Sequence, residues 1–207
     1  MASEGLPFIV ASAFVTVYLA ALSLSMVALF FAAVTCFIVF FFRDPDRVIP
    51  AEDKAVVSPA DGKVVEVRVV SESDVAREEM LKVSVFMSVF NVHVNRIPTD
   101  GTVVDISYHP GRFFSANLDK ASKDNERNAV SLDIGSGRRL VVVQVAGLIA
   151  RRIVCRIHKG DHLRRGQRFG MICFGSRLDV YLPSDTKPAV SVGDKILAGT
   201  SILGHLT

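Results

Sequence analysis

The residues Met171-Ile172-Cys173-Phe174-Gly175-Ser176-Arg177-Leu178-Asp179-Val180-Tyr181-Leu182-Pro183 run from an apolar segment through a Gly-Ser pair into an alternating one. Leu178, Val180 and Leu182 alternate with Asp179 and Tyr181, which is the period of a strand. The stretch therefore reads as two strands meeting at a Gly175-Ser176 joint. Glycine takes backbone conformations closed to other residues and leaves its carbonyl open to approach. In a bent joint with a base nearby, the serine hydroxyl can attack the preceding carbonyl and exchange the amide for an ester. An ordinary strand turn would use the same two residues, so the surroundings must decide.

Working outward, the chain beyond Pro50 is a series of short β-branched runs broken by Gly and Pro. Val64–Val69, Lys82–Met87, Thr102–Ile106 and Leu140–Val145 all read as strands. Ser73 to Met80 allows one or two helical turns. Two internal echoes stand out. Pro59-Ala60-Asp61-Gly62-Lys63-Val64-Val65 returns 39 residues later as Pro98-Thr99-Asp100-Gly101-Thr102-Val103-Val104. Gly160-Asp161-His162-Leu163-Arg164-Arg165-Gly166 returns 33 residues later as Gly193-Asp194-Lys195-Ile196-Leu197-Ala198-Gly199. The second echo resembles the hairpin of biotinyl and lipoyl carrier domains. The expected fold is mainly β, a flattened barrel or sandwich with lipoyl-like hairpins and quasi-twofold character.

Phe8 to Phe42 is different: 35 residues without a charge, a glycine or a proline. As one helix it would be about 52 Å long, against a hydrocarbon core of about 30 Å. Two short helices turning near Ser23-Leu24-Ser25 fit better, as a membrane hairpin or shallow insertion. Glu4 in place of a basic cluster, and the length of the apolar run, argue against a secretory signal. Arg43 and Arg47 follow at once, and positive flanks favour the cytoplasmic face. The expected division is a membrane segment at 1–42 and a β-domain at 43–207, at the cell membrane with the β-domain on the cytoplasmic side. Beyond residue 42, 24 basic residues face 20 acidic ones, a net +4. Cys36, Cys155 and Cys173 show no paired spacing, which points to reduced thiols and against a zinc site, so no metal is expected.

Seven basic residues lie between Arg151 and Arg168 against the single acid Asp161. They suit an anionic membrane surface or a phosphate headgroup, or simply a solvated face. With an apolar segment beside them, lipid is preferred to nucleic acid as a partner. The polar stretch from Tyr108 to Val130 is long for a connection and reads as a lid or binding loop, with Phe113 and Phe114 as an apolar tip for acyl chains. Of the five histidines, His93 sits in an apolar, strand-like setting and is the preferred base.

Several unusual motifs coincide. Phe41-Phe42-Arg43-Asp44-Pro45-Asp46-Arg47, Ser58-Pro59-Ala60-Asp61-Gly62 and Asn91-Val92-His93-Val94-Asn95-Arg96-Ile97-Pro98 precede the Phe174–Pro183 stretch. Pro110–Asn117 with Asn125–Asn128 adds a weaker match. Together they resemble the phosphatidylserine decarboxylase family, in its short bacterial and archaeal form. The resemblance implies self-cleavage between Gly175 and Ser176, leaving chains 1–175 and 176–207 as a heterodimer. It implies that Ser176 becomes a covalent pyruvoyl group, the only cofactor, which forms a Schiff base with phosphatidylserine and yields phosphatidylethanolamine. His93 aligns with the motif histidine and Asp61 with its acidic partner, as in a Ser-His-Asp relay. The donor that protonates the product carbanion stays open among His109, Asn91 and water. The alternative is a membrane-anchored, lipoyl-like adaptor without catalysis, which leaves His93, Asp61 and Gly175-Ser176 without a task.

Overall fold

Short β-branched runs cannot bury two faces alone, and here they pair into three antiparallel sheets. The computed structural model describes residues 1–71, 78–114, 124–148, 152–173 and 175–207. The helical turns expected at Ser73 to Met80 fall largely outside that set. The chain divides into two units, Met1–Asp46 and Arg47–Thr207.

The first unit is a pair of helices, α1 (Leu6–Ala21) and α2 (Ser25–Phe41), with Ser23 at φ +59° in the turn between them. No α1 side chain is buried. Ser3–Ala21 forms a continuous helical stretch of 19 residues, long and apolar enough to cross a membrane. Hydroxyls join the two helices: Ser12 Oγ lies 2.8 Å from Thr35 Oγ1.

The second unit contains fourteen strands among the described residues. They are β1 (Ala55–Val57), β2 (Gly62–Val70), β3 (Met80–Met87), β4 (Val94–Arg96), β5 (Gly101–His109), β6 (Arg127–Asp133) and β7 (Arg139–Ala146). After these come β8 (Ile153–Cys155), β9 (His162–Leu163), β10 (Arg168–Ile172), β11 (Ser176–Pro183), β12 (Lys187–Pro188), β13 (Lys195–Ile196) and β14 (Ile202–His205). A curled half-barrel sheet has the order β13-β2-β3-β11-β7-β6-β5-β9, and two small sheets have the orders β1-β14-β12 and β4-β10-β8. The fold is mainly β with apolar N-terminal helices, as its residue patterns predict.

The sheet orders are palindromic about the β11–β7 pair, and the two sequence echoes explain why. Gly160 and Asp161 dock on Val103, while Gly193 and Asp194 dock on Val64 through the same pair of backbone hydrogen bonds. Asn95 faces Gly170 beside a register shift, and Val56 faces Gly204 beside its counterpart. One half is therefore β4 to β10, continuous in sequence. The other is β1 to β3 plus β11 to β14, with the first half inserted between β3 and β11. Val64, Val85, Met87, Val142, Leu178, Val180, Phe169 and Leu203 pack into the main core.

Two elements differ from expectation. The polar stretch read as a loop from Tyr108 to Val130 is strand at both ends, because β5 runs to His109 and β6 begins at Arg127. Asn128 is polar yet buried, which hid β6 from a hydropathy reading.

Candidate active site

Two crossings join the halves, and His93 and Ser176 stand where they meet the strands. The outward crossing, 88–93, leaves β3 after Met87 and ends at His93. The return crossing, 173–175, leaves β10 and enters β11 at Ser176. Ser176 pairs with Met87 on one side and with Ala146 on the other. The His93 carbonyl accepts a hydrogen bond from Ile172 N at 3.4 Å. His93 and Ser176 are both completely buried.

Gly175 has φ +64°, and nothing lies within 4 Å of where a Cβ would stand. Glycine is thus required by backbone angle rather than by crowding. The Ser176 hydroxyl donates to Met87 Sδ at 3.6 Å. A thioether is a weak acceptor, so the hydroxyl is oriented without being strongly engaged.

Asp61 is held elsewhere. Its carboxylate accepts Arg47 Nη2 at 3.0 and 2.8 Å and the Ala198 N–H at 2.7 Å. These partners occupy the Asp61 oxygens in this structure. The reason is the Ser58-Pro59-Ala60-Asp61 turn, which directs the side chain toward the Ile196–Gly199 hairpin. Sequence reasoning took Arg47, in the Phe41–Arg47 motif, as a positive flank and missed its pairing with Asp61.

His109 lies on the end of β5, opposite Arg127, with Nε2 at 3.1 Å from Ser107 Oγ. Arg127 faces Val145 and Val145 faces Arg177, so His109 is three strand spacings from Arg177, roughly 14 Å along the sheet. Asn91 Oδ1 accepts the Ser88 N–H and hydroxyl, both at 2.8 Å, and so closes a turn in the outward crossing. Phe113, like Ile153, packs against the cluster of Ala146 and Ile172, and Ala146 is the strand partner of Ser176. Phe114 exchanges two hydrogen bonds with the buried Asn125, whose Nδ2 also donates to Ala146 O at 2.7 Å. The base of the polar loop is therefore pinned to the residue paired with Ser176, while 115–123 lie outside the described residues.

The reverse face of β11 carries buried charge. Arg177 Nε lies 2.9 Å from Asp179 Oδ1, and Lys82 Nζ lies 3.6 Å from Asp179 and 2.7 Å from Glu66. Burial pushes the Glu66 carboxyl up, but Lys82, Ser84 and Arg68 together bring it below the ordinary value. Burial, then Asp179, raises the Tyr181 phenol. Of the Arg151–Arg168 cluster, Arg152, Arg156, Lys159, Arg164 and Arg168 are exposed, while Arg165 donates to Glu52 O and Ala55 O.

The family model described as phosphatidylserine decarboxylase matches residues 34–204, which includes both crossings and all three sheets. The chain belongs to the phosphatidylserine decarboxylase family. Full-length relatives agree. It is 54% identical to the phosphatidylserine decarboxylase proenzyme of Geotalea uraniireducens over 206 residues, covering 100% of this chain and 96% of that one. It is 51% identical to the proenzyme of Geobacter metallireducens, with the same coverage. The Syntrophus aciditrophicus proenzyme is 50% identical over 99% of this chain and 96% of its own. As a member of the phosphatidylserine decarboxylase family the chain is an enzyme, a decarboxylase.

Proposed function

We propose that this chain is a proenzyme that cuts itself between Gly175 and Ser176 and then decarboxylates phosphatidylserine to phosphatidylethanolamine. The observation that carries the reading is the joint itself: a glycine at φ +64° with open space beside it, followed by a buried serine whose hydroxyl donates to the Met87 sulfur. The names of the full-length relatives, proenzymes acting on phosphatidylserine, support it.

The chemistry follows from the chain's own atoms. Ser176 Oγ attacks the Gly175 carbonyl carbon, the C–O bond forms, the C–N bond breaks, and the hydroxyl proton passes through a base to the departing nitrogen. Removal of the residue 176 α-proton then expels the Gly175 carboxylate and leaves a dehydroalanine. Its enamine tautomerises, and water releases ammonia to leave a ketone. The site fits that group, since the Met87 thioether packs against a methyl as readily as it receives a hydroxyl. When present, a pyruvoyl ketone condenses with a primary amine and draws electrons from the amino acid's α-carbon, so that carbon dioxide can leave.

His93, at the end of the outward crossing, is the proposed base. Asp61 serves by clamping Arg47 and the Ala198 amide, which fixes the Ser58–Asp61 turn. The apolar helices hold the enzyme at the membrane with the β-domain on the cytoplasmic side. The exposed Arg152–Arg168 face meets anionic lipid, and Phe113, packed against the strand partner of Ser176, contacts substrate.

Carbon dioxide release from carboxyl-labelled phosphatidylserine in mixed vesicles tests the reading. The wild-type chain should release label and Ser176→Ala should not. Equal release by both would exclude the pyruvoyl route, and no release by either would exclude the substrate.

A further inference from the structure

A chain of buried amides reaches residue 176 through the core. Gln144 stands inside the apolar run Leu140–Ala146 of strand β7 and is completely buried. Its Nε2 donates to Asn95 Oδ1 at 2.9 Å and to Val154 O at 3.3 Å, and its Oε1 accepts from Asn128 Nδ2 at 3.1 Å. A backbone carbonyl can only accept, so Val154 fixes which end of the Gln144 amide is nitrogen. The polarity of the series follows: Asn128 donates to Gln144, and Gln144 to Asn95. Asn95 Nδ2 then donates to Met87 Sδ at 3.8 Å, the sulfur that also receives the Ser176 hydroxyl at 3.6 Å. Gly170 makes room for this arrangement, because a Cβ there would fall 2.2 Å from Val154 O and 3.0 Å from Gln144 Nε2.

Three buried amides spread over β4, β6 and β7 are costly unless every member is satisfied. Here they end on a side chain that, being unbranched and flexible, would otherwise sample several rotamers. We propose that Asn128, Gln144 and Asn95 are positioning residues that hold the Met87 thioether in place, and that the sulfur holds Ser176 Oγ at the joint for self-cleavage. The proposal rests on Gly175–Ser176 being the bond that is cut. The sulfur takes no proton. It holds Oγ in place until the O–H turns to the base, which takes the proton. Sulfur suits both states of the site: once Oγ departs with Gly175, an oxygen acceptor would be left without its donor, whereas a thioether packs against the new methyl at little cost.

The test follows conversion of the freshly synthesised 207-residue chain into its fragments on denaturing gels. The same substitutions are placed in a Ser176→Ala chain to read Tm. Met87→Leu keeps the volume and removes the acceptor. It should slow cleavage at least tenfold while shifting Tm by only a few degrees. Gln144→Glu should be slow near pH 8 and approach the wild-type rate near pH 6. A buried carboxyl is readily protonated, and in that form it again donates to Asn95 while accepting from Asn128. Wild-type cleavage rates in both variants would overturn the proposal. So would slowing that merely tracks the loss of Tm and ignores pH in Gln144→Glu. An uncut wild-type chain would instead overturn the reading of Gly175–Ser176, and this proposal with it.

Discussion

Gly175 and Asp61 show how single positions set local backbone geometry. At φ +64° any residue with a Cβ is strained by about 1–2 kcal/mol, although there is room for it. In a Ser176→Ala background, Gly175→Ala should lower unfolding stability by about that much in a urea titration. An unchanged midpoint would mean that the joint relaxes freely. Asp61 and Arg47 form a largely buried pair with side-chain exposures of 5% and 14%. Removing either partner strands the other, so Arg47→Ala and Asp61→Asn should each cost about 3–5 kcal/mol, and the double variant less than their sum. Additive losses would show that the pair is not coupled. The sequence made Asp61 legible as important but not its partner. Arg47 lies 14 residues back in a motif that ends an apolar segment, and only the folded turn brings the two together. Gln144 was also open to reading, since a lone amide inside a buried apolar strand needs a partner. Its partners on β4 and β6 have no spacing that would reveal them.

Strand β11 has two different faces, and its neighbours follow suit. Leu178, Val180 and Leu182 enter the main core, while Arg177, Asp179 and Tyr181 meet Lys82, Ser84 and Glu66 on the other side. The alternation was plain in the sequence, but it suggests a solvated polar face. Instead that face is buried, and its charges are paired across β2, β3 and β11. Because Glu66 is held below its ordinary value of 4.5, the unfolded chain binds the proton more readily than the folded one. The contribution is therefore complete above about pH 4.5 and is lost as pH falls through the lower folded value. Thermal melts should show Tm dropping on the acid side, and Glu66→Gln should flatten that limb. The same steep limb in Glu66→Gln would assign the acid sensitivity to other carboxylates.

Two intertwined halves explain why a cut chain should hold together. Residues 176–207 place β11 between β3 and β7, β13 on β2, and β12 and β14 in the sheet of β1. The echoes at 39 and 33 residues announced this duplication, but not that one half is inserted into the other. Insertion forces two crossings, and the candidate site is where their ends meet, at Ser176 beside Met87 and at His93 beside Ile172. After cleavage the two fragments should co-elute in size exclusion under native conditions and separate only in denaturant. Spontaneous dissociation would contradict the observed interleaving. The most direct test of the whole account is the mass of the small fragment from active protein. The account predicts 176–207 lighter by one ammonia than the same peptide with an amino-terminal serine, and restored to neither form by Ser176→Ala, which stays uncut. A single unbroken chain of 207 residues carrying an ordinary serine at position 176, in a preparation that releases carbon dioxide, would contradict it.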